Sequence, residues 1–155
     1  MFRIAYEGSD FREAARLLLD FNAEFDAPVP DSVWFQERLW SLYESGDTKV
    51  LLWGSPAICV AVLRFRGNLW SEDLDAEIEE LYTVPEQRGR GFGGAFLKAI
   101  IEYAEQNGAS YLHLVTTEGD HGDGNIYCHH GFHREHVGED GEPLVYYEMT
   151  FSKAG

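Results

Sequence analysis

Seven consecutive residues, Arg88-Gly89-Arg90-Gly91-Phe92-Gly93-Gly94, carry the plainest chemistry in this chain. Their glycines let backbone N–H groups approach a ligand closely and accept dihedral angles that other residues avoid. The run opens an amphipathic helical pattern, whose first N–H groups and dipole favour an anion, and Arg88 and Arg90 add positive charge. Such a segment is a phosphate cradle. A P-loop would need Lys-Ser/Thr after its last glycine, but Ala95 follows Gly94. Gly89, Gly91 and Gly94 match the spacing of a dinucleotide fingerprint, yet the arginines are foreign to it, and it belongs near a first strand, not past mid-chain. Just upstream lies an acidic run, Glu72, Asp73, Asp75, Glu77, Glu79 and Glu80. Its first half reads as a solvated turn, and its second half enters the strand before the cradle.

The elements that must hold this loop follow from periodicity. Leu81 to Val84 reads as a strand stopped by Pro85, which lacks the N–H a central strand needs. Phe92, Ala95, Phe96, Ala99, Ile100, Tyr103 and Ala104 then form one apolar helical face, closed by Asn107-Gly108. Phe2 to Tyr6 reads as a first strand. Asp10 and Glu13 resemble a capping box for a helix carrying Phe11, Ala14, Ala15, Leu18 and Phe25. A second helix starts at Asp31 or Ser32 and runs to Gly46, with core packing expected for Trp34 and Trp40. Lys49–Trp53 and Ala57–Phe65 read as a hairpin across Gly54-Ser55-Pro56, and Tyr111–Thr116 as a parallel-type strand. A short helix through Tyr127 leads to Gly131-Phe132, and His133–Val137 with Leu144–Phe151 closes the chain as a hairpin.

The 155 residues read as one domain, 1–155, long enough to build a real core. Twelve basic against 27 acidic residues give a net charge of −15, which repels nucleic acid and anionic membranes and attracts cationic substrates, although solubility alone is also served. Cys59 and Cys128 lack a framework spacing, which suggests a reducing, cytoplasmic setting. No stretch approaches transmembrane length, and the acidic N-terminal region is unlike an ordinary signal peptide. The six histidines do not suggest a metal site: His129 and His133 straddle the break at Gly131-Phe132, so surface or packing roles are expected.

Arg88-x-x-Gly91-x-Gly93 after a strand ending Val84-Pro85 resembles the acyl-CoA pyrophosphate loop of the GNAT superfamily of N-acetyltransferases. Tyr127-x-x-x-Gly131-Phe132 resembles the same family, and the order β-α-α-β-β-β-α-β-α-β-β extends the likeness over essentially the whole chain. The implied fold is α/β (α+β), a GNAT fold with a mixed central sheet of about six to seven strands. The implied cofactor is acetyl-CoA, held by Leu81, Tyr82, Thr83 and Val84 and by Arg88, Gly89, Arg90, Gly91, Phe92, Gly93 and Gly94. The two-helix segment is implied to wall the acceptor site, which makes lining of a substrate pocket the alternative to core packing for Trp34 and Trp40.

The resemblance also implies catalytic roles. Acetyl transfer to an amine needs a deprotonated nitrogen, whereas an aliphatic ammonium has a pKa of about 10.4. Ile78-Glu79-Glu80-Leu81-Tyr82 resembles the acidic strand of spermidine/spermine N-acetyltransferases, which makes Glu79 the base and Glu80 an amine contact. In a regular strand these neighbours point to opposite faces. Ordinary strand-surface acids are the alternative. Backbone N–H groups from Leu81 to Val84 would polarise the thioester carbonyl. Tyr127 would protonate the departing thiolate, the alternative being a buried tyrosine at a helix–strand junction. Where the family often carries Asn for the pantetheine arm this chain has Asp120, and Asp123 replaces a usual small residue; a register shift would bring in Asn125 instead.

The expected activity is therefore acetyl-CoA-dependent N-acetylation of a small cationic primary amine, such as a polyamine, an aminoglycoside-like amine or an amino-acid derivative. Acetylation of protein lysines or N-termini, and acyl-CoA sensing without turnover, are the alternatives. A homodimer is among the assemblies the resemblance implies.

Overall fold

Alternating and 3.6-residue apolar patterns resolve into β1 (Phe2–Ile4), α1 (Gly8–Glu24), α2 (Ser32–Glu44), β2 (Thr48–Trp53), β3 (Cys59–Gly67), β4 (Leu74–Thr83), α3 (Phe92–Gln106), β5 (Ala109–Thr117), β6 (His133–Val137) and β7 (Leu144–Thr150). A 3-10 turn at Pro85–Gln87 links β4 to α3, and residues 126–129 form a helical turn before β6. This computed structural model describes residues 1–117, 126–137 and 144–152. Among them the strands form one mixed sheet in the order β1-β2-β3-β4-β5-β7-β6. The β4–β5 pair is parallel, as a strand–helix–strand crossover requires, while β1–β2, β2–β3, β5–β7 and β6–β7 are antiparallel. The expected fold class and element order are both observed.

Contacts group the chain into two compact units, Met1–Arg64 with Glu80–Phe96, and Phe65–Glu79 with Leu97–Gly155. In the first unit, Phe11, Ala14, Leu17 and Leu18 of α1 pack with Val50, Leu52, Val60, Val62 and Tyr82. Truncating a buried leucine there costs about 2–5 kcal/mol. In the second unit, β7 registers on β5 from Tyr111↔Thr150 to Thr117↔Leu144, and β6 registers on β7 from His133↔Glu148 to Val137↔Leu144.

Local differences from the sequence reading have identifiable causes. The N-cap of α1 is Glu7, not Asp10; Asp10 lies one turn in, where its carboxylate accepts from the N–H groups of Tyr6 and Glu7, both at 3.1 Å. It is claimed by Arg3, whose guanidinium donates to Asp10 at 2.6 Å, to Glu13 at 2.7 Å and to the Gly54 carbonyl at 2.9 Å. Glu7 and Asp10 thus form the capping box three residues upstream of the expected one, with Asp10 as its N3 member and Arg3 bonded to it. The α2 cap is Asp31, accepting from the Trp34 N–H at 3.4 Å. Trp34 and Trp40 are 53% and 40% exposed, not core residues, because α2 fully buries only Leu39.

β4 is irregular where the acidic pair lies. At one end of the β3–β4 pair, the Asn68 N–H donates to the Asp73 carbonyl at 3.0 Å, and Arg66 reaches Asp75. At the other, the Val84 N–H donates to the Ile58 carbonyl at 2.9 Å, and Cys59 Sγ lies 3.3 Å from Thr83 Oγ1. Counted between these bonded positions, β4 carries one residue more than β3. Burial alternates from Ala76 to Glu79, then breaks at two successive half-buried residues, Glu80 and Leu81, before buried Tyr82. The extra residue is a β-bulge between Asp75 and Thr83, and the burial pattern breaks at Glu80–Leu81. Strict alternation, the premise for opposite faces at Glu79 and Glu80, does not hold there.

Candidate active site

The glycine loop is built as its sequence requires. Gly89 and Gly91 have φ of +79° and +86°, in the left-handed region that favours glycine, and a Cβ at either would meet no atom within 4 Å. Gly93 sits over β4, where an added Cβ would lie 3.7 Å from Thr83 Oγ1. The first α-helical bond, Ala95 N–H to the Gly91 carbonyl, spans 3.1 Å, and the N–H groups of the first turn lack partners within the helix. Open space above a glycine backbone at a helix N-terminus fits the diphosphate of an acyl-CoA.

Arg88 and Arg90 are placed differently. Arg90 is exposed. Arg88 donates from Nε to the Thr83 carbonyl at 3.0 Å, and its other nitrogen contacts both Glu24 carboxylate oxygens at 3.2 and 3.3 Å. Its guanidinium carbon also lies 5.5 Å from the Tyr82 ring centroid. Tyr82 Oη donates to Glu24 at 3.1 Å, and its ring stacks on Phe21 of α1. Burial and the neighbouring Glu24 carboxylate push the Tyr82 phenol up to about 12. Glu24 was not a sequence candidate. It lies 64 positions from Arg88, and nothing local marks it.

In the second unit, Glu79 is exposed, beside the β4–β5 register that runs from Leu74↔Ala109 to Glu77↔His113. Tyr127 is 5% exposed, its ring packed on Phe132 and Tyr147, and its carbonyl accepts from the N–H groups of His130 and Phe132. Tyr111 Oη donates to Glu148 at 2.6 Å and lies 2.8 Å from Tyr146 Oη; burial, reinforced by Glu148, pushes its phenol well up. His113 stacks on Tyr146 and lies 3.4 Å from Glu77. Asp120, Asp123 and Asn125 fall outside the described residues. A groove of about 460 Å³ between α1 and α2, lined by Arg12, Arg16 and Gln36 among others, contains none of the sequence-derived site residues.

Fold and loop together define an acyltransferase of the acyl-CoA type. The family model described as "Acetyltransferase (GNAT) family" matches residues 14–132, and the chain belongs to that family. An acetyltransferase structure from Arthrobacter sp. FB24 is 30% identical over 100% of this chain and 95% of its own, with a TM-score of 0.78. The ribosomal-protein-alanine N-acetyltransferase of Brucella melitensis shares the fold at 17% identity, covering 97% of this chain and 99% of its own, with a TM-score of 0.74. So does a chain of the NatC complex bound to Gag peptide and CoA, at 16% identity, 98% coverage of each chain and a TM-score of 0.73. Comparison with curated proteins returns no match. The protein is a GNAT-family acetyltransferase, and acetyl-CoA is the cofactor of that family.

Proposed function

We propose that this enzyme transfers the acetyl group of acetyl-CoA directly to the primary amine of a small cationic acceptor. The supporting observation is the pairing of an open glycine cradle with an extra residue in the strand just before it, whose burial pattern breaks at Glu80–Leu81. A bulge leaves backbone polar groups unpaired and re-aims a side chain. Here it lies in the strand that carries Glu79 and Glu80. The cofactor, when bound, supplies an activated thioester. The loop N–H groups and Arg90 hold its diphosphate, while Leu81 to Val84 supply N–H groups for the carbonyl and the pantetheine arm.

Glu79 takes the proton of the attacking ammonium, directly or through water, and Glu80 holds the cationic acceptor. Tyr127 gives its phenolic proton to the departing thiolate. The net charge of −15 supports a cationic acceptor, since it raises the local concentration of cations. Free Cys59 and Cys128 support a reducing, cytoplasmic setting. Thiol release from acetyl-CoA with a panel of amines tests the reading. Glu79→Gln and Tyr127→Phe are each expected to lower kcat by about 10²-fold or more. Full kcat in both variants at every pH would refute the roles, and tight CoA binding without turnover of any amine would favour a sensor.

A further inference from the structure

We propose that Glu24 is a positioning residue for the cofactor loop, acting through Arg88; this rests on the reading of that loop as the acyl-CoA cradle. A guanidinium at the head of a glycine loop is an obvious phosphate ligand, yet here its hydrogen bonds go to protein. Arg88 spans the Thr83 carbonyl at the end of β4 and the Glu24 carboxylate at the end of α1, with the Tyr82 ring close by. Tyr82 closes the arrangement by donating to Glu24 and stacking on Phe21. Three elements, α1, β4 and the loop, are thereby clasped around one carboxylate.

The clasp has a physical purpose in a glycine-rich loop. Gly89 and Gly91 have large backbone freedom to lose when a ligand is bound, and no side chain of their own restrains them. Fixing Arg88, immediately before Gly89, removes part of that freedom in advance, so the ordering cost on binding falls. Arg88 is 49% and Glu24 33% exposed at the side chain, so the clasp is partly wet. Its effect on affinity is correspondingly moderate. Direct diphosphate contacts then fall to backbone N–H groups and Arg90. Because Glu24 is the last residue of α1, the clasp also ties the loop to the start of the α1–α2 connection.

The test uses the full chain with Glu24→Gln, Arg88→Gln and the double variant. Gln at 24 keeps the shape and an acceptor for Tyr82 but removes the charge. CoA affinity is measured by titration calorimetry, and loop protection by trypsin cleavage after Arg90 without ligand. Glu24→Gln is expected to weaken CoA binding by about three- to fivefold and to speed that cleavage, with Glu24→Asp restoring part of both. The double variant is expected to bind no more weakly than Arg88→Gln alone. Unchanged or tighter CoA binding by Glu24→Gln, or additive losses in the double variant, overturns the proposal. A wild-type chain that fails to bind CoA refutes the acyl-CoA reading instead, and the clasp itself is then decided by the proteolysis rates.

Discussion

Helix α1 has an arginine–carboxylate cluster at each end, and the two differ in kind. At its start, Arg3 holds Asp10 and Glu13 at 2.6 and 2.7 Å, with side-chain exposures of 22%, 11% and 27%. Every oxygen there has work: Asp10 also accepts from two N–H groups, and Glu13 from the Ala57 N–H at 2.8 Å. At its end, Arg88 meets Glu24 at 3.2 Å with about half its side chain in water. Tight, partly buried and saturated pairs fix a fold. Longer, wetter ones cost little to rearrange, which suits a loop that must receive a ligand.

Removing the guanidinium from the first cluster tests this contrast most severely. Arg3→Met strands two partly buried carboxylates and is expected to cost about 2–4 kcal/mol, read as a lower urea midpoint and a lower Tm. A loss no larger than that of Arg88→Met would erase the distinction. The pH dependence comes next. Burial alone would raise Asp10 and Glu13, but backbone N–H groups and Arg3 outweigh it and hold both carboxyls below their ordinary values. Their contribution is therefore complete above the unfolded-state values of about 3.9 and 4.3, and it is lost as pH falls through the lower folded-state values. Urea unfolding from pH 7 to pH 3 is expected to show this acid loss in the wild type and a flatter limb in Arg3→Met.

Much of the first cluster's setting was legible in the sequence, and almost none of the second's. Asp10 and Glu13 announce a helix start because capping is a local transaction over three or four residues. The box nevertheless starts at Glu7, with Asp10 as its third helical residue. Gly89 and Gly91 were legible because their left-handed backbone favours glycine, and Arg88 because it begins their motif. The bulge was not, since a single extra residue leaves no periodic trace in a strand already broken by charge. Glu24 was invisible because its partner Arg88 lies 64 positions away.

Smaller effects separate the clusters further. Glu24→Gln is expected to change global stability by less than about 1 kcal/mol, as for other exposed pairs, while still weakening CoA binding. A large stability loss would make Glu24 a fold residue like Asp10. Smallest of all is the phenol signal. With Tyr82 raised to about 12, its contribution to stability is intact below a pH of about 10 and is lost as pH climbs through the folded-state value. Tyrosinate absorbance should lose a late-titrating component in Tyr82→Phe and shift that component downward in Glu24→Gln. No change in either spectrum would break the link between Tyr82 and Glu24.

By itself the sequence determined the order of elements, the family likeness and the position of the cradle, because helix periodicity, strand runs and glycine dihedrals are set by neighbours a few residues apart. Only the tertiary structure decided what Arg88 holds, which residue caps α1, and that β4 carries an extra residue between Asp75 and Thr83. Those outcomes depend on groups brought together from distant parts of the chain, where hydrogen-bond geometry and burial choose among partners that composition and spacing leave equal.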